Sequence, residues 1–225
     1  MKPLLILDCY LDPQGGARNF VPVLQAVTTQ VWRPGRDRFA PDPDSVCGLV
    51  ITGSAASVIV EVPDWVEPVL QVVRSCADRE LPILGVCFGQ QVIARAFLGP
   101  DAVGPARTPE VGFFDIDVIG EDPLLAGLGP SFRVFVSHLE EVRPDGLKVL
   151  ARTETCANHA FRLGDRPIWG VQFHAEMSRE EARQTTYSKA EAHPELGLDP
   201  ARVIATAVDT QGIFRRIVEN FLAYL

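Results

Sequence analysis

A cysteine set between glycines, where an apolar run gives way to a helical pattern, is the first group in this chain that could act as a nucleophile. In Gly85-Val86-Cys87-Phe88-Gly89-Gln90-Gln91, the run from Pro82 to Cys87 reads as a strand and Phe88 to Phe97 as a helix. A tight turn between them lifts Cys87 to the carboxyl edge of a sheet, where the exposed amides and positive end of the new helix favour thiolate over thiol. The flanking glycines remove Cβ atoms that would crowd such a turn and an approaching substrate. A free cysteine is otherwise a small buried hydrophobe, so the elbow alone leaves both readings open.

A nucleophilic cysteine needs a base, and the base needs a group that orients it. Of His138, His159, His174 and His193, only His174 ends an apolar strand, in Gly170-Val171-Gln172-Phe173-His174-Ala175-Glu176. Residues i and i+2 of an extended chain project to the same side, so Glu176 can hold one imidazole nitrogen while the other faces Cys87.

The elements that must bring these groups together begin in a strand and helix alternation. Leu4 to Cys9 and Cys47 to Thr52 are the apolar runs that precede Pro82 to Cys87. Val66, Val69, Leu70, Val73 and Ala77 recur at helical spacing after Pro63-Asp64, with Asp64 placed to cap the helix. Arg18 to Gln30 is expected as a helix as well. From Phe114 onward, Phe114 to Ile119, Phe132 to Ser137, Lys148 to Arg152, Ala157 to Leu163 and Pro167 to Phe173 read as strands, several of them antiparallel. Ser178 with Glu181 matches a capping box, Asp199-Pro200 is a further start signal, and Ile213, Phe214, Ile217, Val218, Phe221 and Leu222 form a closing amphipathic helix. The expected architecture is a three-layer α/β/α sandwich in one domain over residues 1–225, its central sheet mostly parallel with an additional antiparallel portion. The polar stretch from Arg179 to His193 offers little to a core and is expected to form a mobile helical flap beside Cys87.

The 225 residues carry a formal charge of −8 and a mean hydropathy of +0.10. Without a basic run, a nucleic-acid partner is not expected. Cys9, Cys47, Cys76, Cys87 and Cys156 include no CxxC pair, so neither a disulfide framework nor a zinc site is read, and reduced thiols imply the cytoplasm. Leu4 to Leu7 is too short for a signal-peptide core, and no run approaches a membrane span. No G-x-G-x-x-G follows the first strand and no P-loop occurs, so no cofactor is expected.

GVCFGQQ resembles the G-x-C-x-G-x-Q nucleophile motif of the class I, triad-type glutamine amidotransferases, and VQFHAEMS resembles their terminal F-H-P-E motif. Ile51-Thr52-Gly53-Ser54 is similar to the family's G-G-P loop, and the likeness runs in order over nearly the whole chain. The resemblance implies a flavodoxin-like sheet, with Cys87 as nucleophile, His174 as base and then acid, and Glu176 as the orienting carboxylate. It also implies an oxyanion hole from the amides of Gly53 and Phe88, with Gln91 at the glutamine pocket and Ser137-His138 lining it. Ala175 replaces the usual proline, and Thr52 stands where a glycine is common. With Thr108-Pro109-Glu110-Val111-Gly112, these features look like the free-standing GMP synthase-like branch, which includes γ-glutamyl peptidases.

The resemblance thus implies hydrolysis of the γ-amide of glutamine, or of another small γ-glutamyl compound, through a cysteine thioester. The alternatives are a subunit that hands ammonia to a separate synthetase and a non-catalytic regulatory module, with an unrelated flavodoxin-like domain last.

Overall fold

The computed structural model describes residues 2–143 and 145–225. In chain order the strands and α-helices are β1 (Leu4–Leu7), α1 (Ala17–Phe20), β2 (Thr29–Trp32), β3 (Gly48–Ile51), α2 (Val66–Asp78), β4 (Ile83–Val86), α3 (Phe88–Leu98), β5 (Val103–Val118), β6 (Ser131–Val142), β7 (Lys148–Arg152), β8 (Ala160–Arg162), β9 (Ile168–Val171), α4 (Arg179–Ala192), α5 (Pro200–Ala205) and α6 (Gln211–Leu222). They build a nine-stranded sheet in the order β2-β1-β3-β4-β9-β8-β7-β5-β6. Its first five strands are parallel, and every pairing from β9 through β8, β7 and β5 to β6 is antiparallel. The antiparallel portion is therefore as large as the parallel one, and β9, which leads to His174, is the strand where they meet.

Alternation along the central strands splits the core into two layers. Leu4 and Ile6 pack with Phe20 of α1 and with Phe214, Ile217 and Phe221 of α6. Leu5 and Leu7 face the opposite layer, against Val69 and Val73 of α2 and Val92 and Ile93 of α3. The central strands are buried on both faces, which is why they read as unbroken apolar runs.

Two expectations are corrected. The helix expected over Arg18 to Gln30 is only α1 followed by a 3₁₀ turn, Val21–Val23. Pro22 lacks an amide for a continuing ladder, and the segment after it turns into β2, pairing Leu4 with Thr29 through Leu7 with Trp32. Asp64 does not cap α2: Trp65 occupies that position without a side-chain bond, and the Val66 amide donates to the Pro63 carbonyl. Among the described residues no helix is long and apolar enough to cross a membrane.

Candidate active site

β4 ends just before Cys87, whose backbone sits at φ +51°, ψ −104°, and α3 starts at the residue after it. A non-glycine residue at positive φ costs about 1–3 kcal/mol and persists only where its surroundings impose it. Here the Cys87 amide donates to the Val171 carbonyl at 2.7 Å, and its own carbonyl accepts from the Gln91 amide at 3.2 Å. The flanking glycines let the turn close. A Cβ on Gly85 would lie 2.4 Å from the backbone of Gly89, and a Cβ on Gly89 would lie 2.4 Å from the Ile51 carbonyl oxygen. Cys87 is 6% exposed and its Sγ lies 3.9 Å from the Ser137 carbonyl oxygen, deeper than a residue standing free at an elbow.

His174 follows β9, where its amide donates to the Phe135 carbonyl at 2.8 Å and so ties the strand's end to β6. Nδ1 of His174 donates to Oε1 of Glu176 at 2.7 Å, and the imidazole lines the same cavity as Cys87. With Nδ1 committed to the carboxylate, Nε2 is the nitrogen left for the thiol. Burial by itself would depress the His174 pKa, but the Glu176 carboxylate and Cys87 outweigh it and push His174 up to about 10. The backbone between His174 and Glu176 is fixed without the proline. Ala175 is buried, and its carbonyl accepts a 3.0 Å hydrogen bond from Thr210 Oγ1.

A cavity of about 550 Å³ opens over these groups, with Tyr10, Ser54, Cys87, Ser137, His174 and Met177 on its inner walls. Its outer wall is one face of α4, carrying Glu181, Gln184, Thr185, Ser188 and Lys189. The capping box at Ser178 and Glu181 starts this helix, as its sequence requires. The second oxygen of Glu181, Oε1, accepts from Arg18 and Asn19 at 3.0 Å, so the helix start is latched to α1. Met177 and Ala182 anchor the helix on Phe113 and Phe135 of β5 and β6. A comparably large groove of about 570 Å³ beside Val118 to Gly129 holds neither cysteine nor histidine.

The structure brings Cys87, His174, Glu176 and Ser137 together, with Gly53 beside them: a Cβ there would sit 3.0 Å from His174 Cε1. Among the described residues, the Gly53 and Phe88 amides have no protein acceptor. The Ser137 hydroxyl is likewise buried without a partner. Two expected pocket residues lie elsewhere. Gln91 is buried, with Nε2 donating to the Glu140 carbonyl at 3.3 Å, and it is not on the cavity wall. His138 follows Ser137 on an extended strand and projects to the other side, where it meets Glu110 at 3.0 Å. Tyr10, Arg18 and Lys189 were not singled out by sequence reasoning, and Glu181 was read only as part of a capping box and not as a wall of the cavity. Tyr10, three residues past β1, had the available signal, because ligands bind beyond the carboxyl ends of parallel strands.

A family model described as glutamine amidotransferase class-I matches residues 40–191. A glutamine-hydrolyzing GMP synthase subunit of Methanococcoides burtonii is 37% identical over 140 residues, covering 58% of this chain and 73% of that protein. The protein of the same description from Pyrococcus abyssi is 39% identical over 113 residues, covering 49% of this chain and 59% of its own. The chain thus spans between about half and three quarters of the length of these relatives. A glutamine amidotransferase structure from Thermotoga maritima superposes with a TM-score of 0.79 at 16% identity, covering 99% of this chain and 97% of that one. A glutamine amido transferase from Methylobacillus flagellatus gives 0.76 at 23% identity, covering 100% and 94%. At those identities the structures establish the fold.

Proposed function

The chain belongs to the class-I glutamine amidotransferases, and from that premise we propose that it hydrolyses the γ-amide of glutamine, or of a related γ-glutamyl compound, through a thioester on Cys87. The observation that carries this reading is the placement of Cys87 beside His174 in one cavity, with His174 bonded to Glu176 behind it.

Cys87 Sγ, as thiolate beside the His174 imidazolium, attacks the γ-carbonyl carbon and forms a C–S bond. The carbonyl oxygen gains the negative charge, and the unpartnered amides of Gly53 and Phe88 supply donors for it, worth about 3 kcal/mol for each donor. Collapse of the tetrahedral species breaks the C–N bond, and His174 gives its Nε2 proton to the departing ammonia or amine. The now neutral imidazole takes a proton from water, whose oxygen attacks the thioester and releases the γ-carboxylate with regeneration of Cys87. Glu176 holds the ring by Nδ1 throughout and offsets its charge. The Ser137 hydroxyl, buried without a partner on the cavity wall, is a hydrogen-bonding group for the substrate.

Ammonia and amine release from glutamine, γ-glutamyl dipeptides and glutathione conjugates, measured side by side with the Cys87→Ser variant as blank, tests the reading. Release dependent on Cys87 from at least one of them supports it, and equal release by the variant refutes it.

A second reading, in which the ammonia is handed to a separate synthetase, is favoured by the description of the relatives as glutamine-hydrolyzing subunits of GMP synthase. Such a subunit turns glutamine over weakly alone and faster with its partner. Activity unchanged by any synthetase encoded beside it counts against that reading.

A further inference from the structure

Behind the strand that borders Cys87 lies a second cluster that the proposed reaction does not use. Glu110 of β5 stands opposite His138 of β6 in the antiparallel register, just past an irregularity between Pro105 and Glu110. Cys156 and His159 come from the turn that precedes β8, with two residues between them, a spacing that metal-ligand pairs use. All four residues are buried, and one donor atom from each lies within 4.8 Å of the others.

The protons single out this cluster. Nε2 of His138 and Nε2 of His159 converge on the same oxygen, Oε2 of Glu110, at 3.0 and 2.7 Å. Held by protons alone, each ring must carry hydrogen on Nε2. His138 Nδ1, however, also faces an acceptor, the Glu140 carbonyl oxygen at 3.0 Å, so this ring would need both protons and a buried positive charge. A cation at the point of convergence removes that demand. Both Nε2 atoms then present lone pairs, and Nδ1–H of His138 donates to the carbonyl, the outer bond that orients a ligating histidine. Oε1 of Glu110 accepts from the hydroxyls of Thr153, at 2.6 Å, and Thr155, leaving Oε2 to the centre. One carboxylate, one thiolate and two neutral imidazoles carry two negative charges, which cancel a divalent cation in a site that excludes water.

We propose that Glu110, His138, Cys156 and His159 bind one zinc ion that fastens β5 and β6 to the turn before β8. Imidazole and thiolate donors favour zinc over magnesium or calcium, and four protein ligands without an open position make a structural centre. Binding displaces the Cys156 thiol proton and any second proton on His138 to solvent, and no ligand changes oxidation state. Because His138 adjoins Ser137, whose carbonyl oxygen lies 3.9 Å from Cys87 Sγ, the ion would steady one wall of the cavity from behind.

The test uses the full chain carrying Cys87→Ser, which removes the other cysteine and histidine pair as a metal site. Metal analysis of protein purified without chelator should find about one zinc per chain, and Cys156→Ser and His159→Gln should each weaken zinc binding by about tenfold or more. Chelator-treated protein loaded with cobalt(II) should show tetrahedral ligand-field bands and a thiolate charge-transfer band. X-ray absorption of the zinc form should find one sulfur among four ligands, a readout that does not depend on the cluster variants folding. Absence of zinc together with no cobalt spectrum, or a metal shell without sulfur, overturns the proposal. So does zinc retained undiminished in folded Cys156→Ser and His159→Gln proteins.

Discussion

Cys87, His174 and Glu176 were legible because local rules expose them: glycines around an elbow, and an i, i+2 pair at a strand's end. What Ala175 does in place of proline was not legible, since Thr210 reaches its carbonyl from another element. Gln91 and His138 were misplaced because their positions depend on which way a helix face and a strand face turn in the assembled sheet. Glu176→Gln should lower kcat by about a hundredfold or more with little change in KM, because the carboxylate touches the imidazole and not the cavity. It also removes the carboxylate that raises the His174 pKa. The imidazolium persists until pH passes about 10 in the parent chain, so the alkaline limb of kcat/KM should lie near there and move to lower pH in the variant. An unmoved limb would separate His174 from the ionisation that governs turnover. The same raised value contributes stability that is complete below His174's ordinary 6.5 and is lost as pH rises through about 10. Thr210→Val removes one hydrogen bond, worth about 1 kcal/mol, and should reduce kcat several-fold at constant KM in steady-state assays.

Among the elements, the strand, elbow and helix of β4 and α3 follow directly from the apolar run and glycines, and α4 from its capping box. The early end of the first helix and the short strand β2 depend on pairing with β1, and β2's half-exposed sequence carries no strong apolar signal. β5 is longer than its apolar pattern because its first part, through Pro105 to Glu110, pairs irregularly with β6. Gly89→Ala tests the elbow. Its Cβ meets the Ile51 carbonyl, a backbone atom held within the sheet, so thermal unfolding should show a loss of about 1–3 kcal/mol and activity should fall with it. Ser178→Ala tests α4. Loss of the capping box should cost about 1 kcal/mol of helix stability and loosen the outer wall of the cavity. In kinetics that should appear as a higher KM with kcat nearly unchanged, whereas an unchanged KM would detach α4 from substrate binding.

For the molecule as a whole, the sequence pattern anticipated helices on both faces of a sheet and a switch from parallel to antiparallel strands, but not that the two portions would be equal. The strand order follows from pairings between distant segments, such as β4 with β9. That pairing matters most for function, since it sets the strand ending before His174 beside the one ending before Cys87. The cluster of Glu110, His138, Cys156 and His159 was hidden for the same reason: three separate segments supply it, and no CxxC marks it. The proposed chemistry stands on Cys87 alone attacking the γ-glutamyl carbonyl. Burial pushes the Cys9, Cys47 and Cys76 thiols up, which disfavours their thiolates at neutral pH, Cys156 is held in the cluster with Glu110, and none of the four lines the cavity over His174. The decisive experiment is peptide mapping by mass spectrometry after reaction with a diazo-ketone analogue of glutamine, with and without excess glutamine. One adduct per chain is expected, on Cys87, suppressed by glutamine or by the preferred γ-glutamyl compound. Label spread over the other cysteines, or an unlabelled Cys87 in protein that still releases ammonia, would refute the assignment.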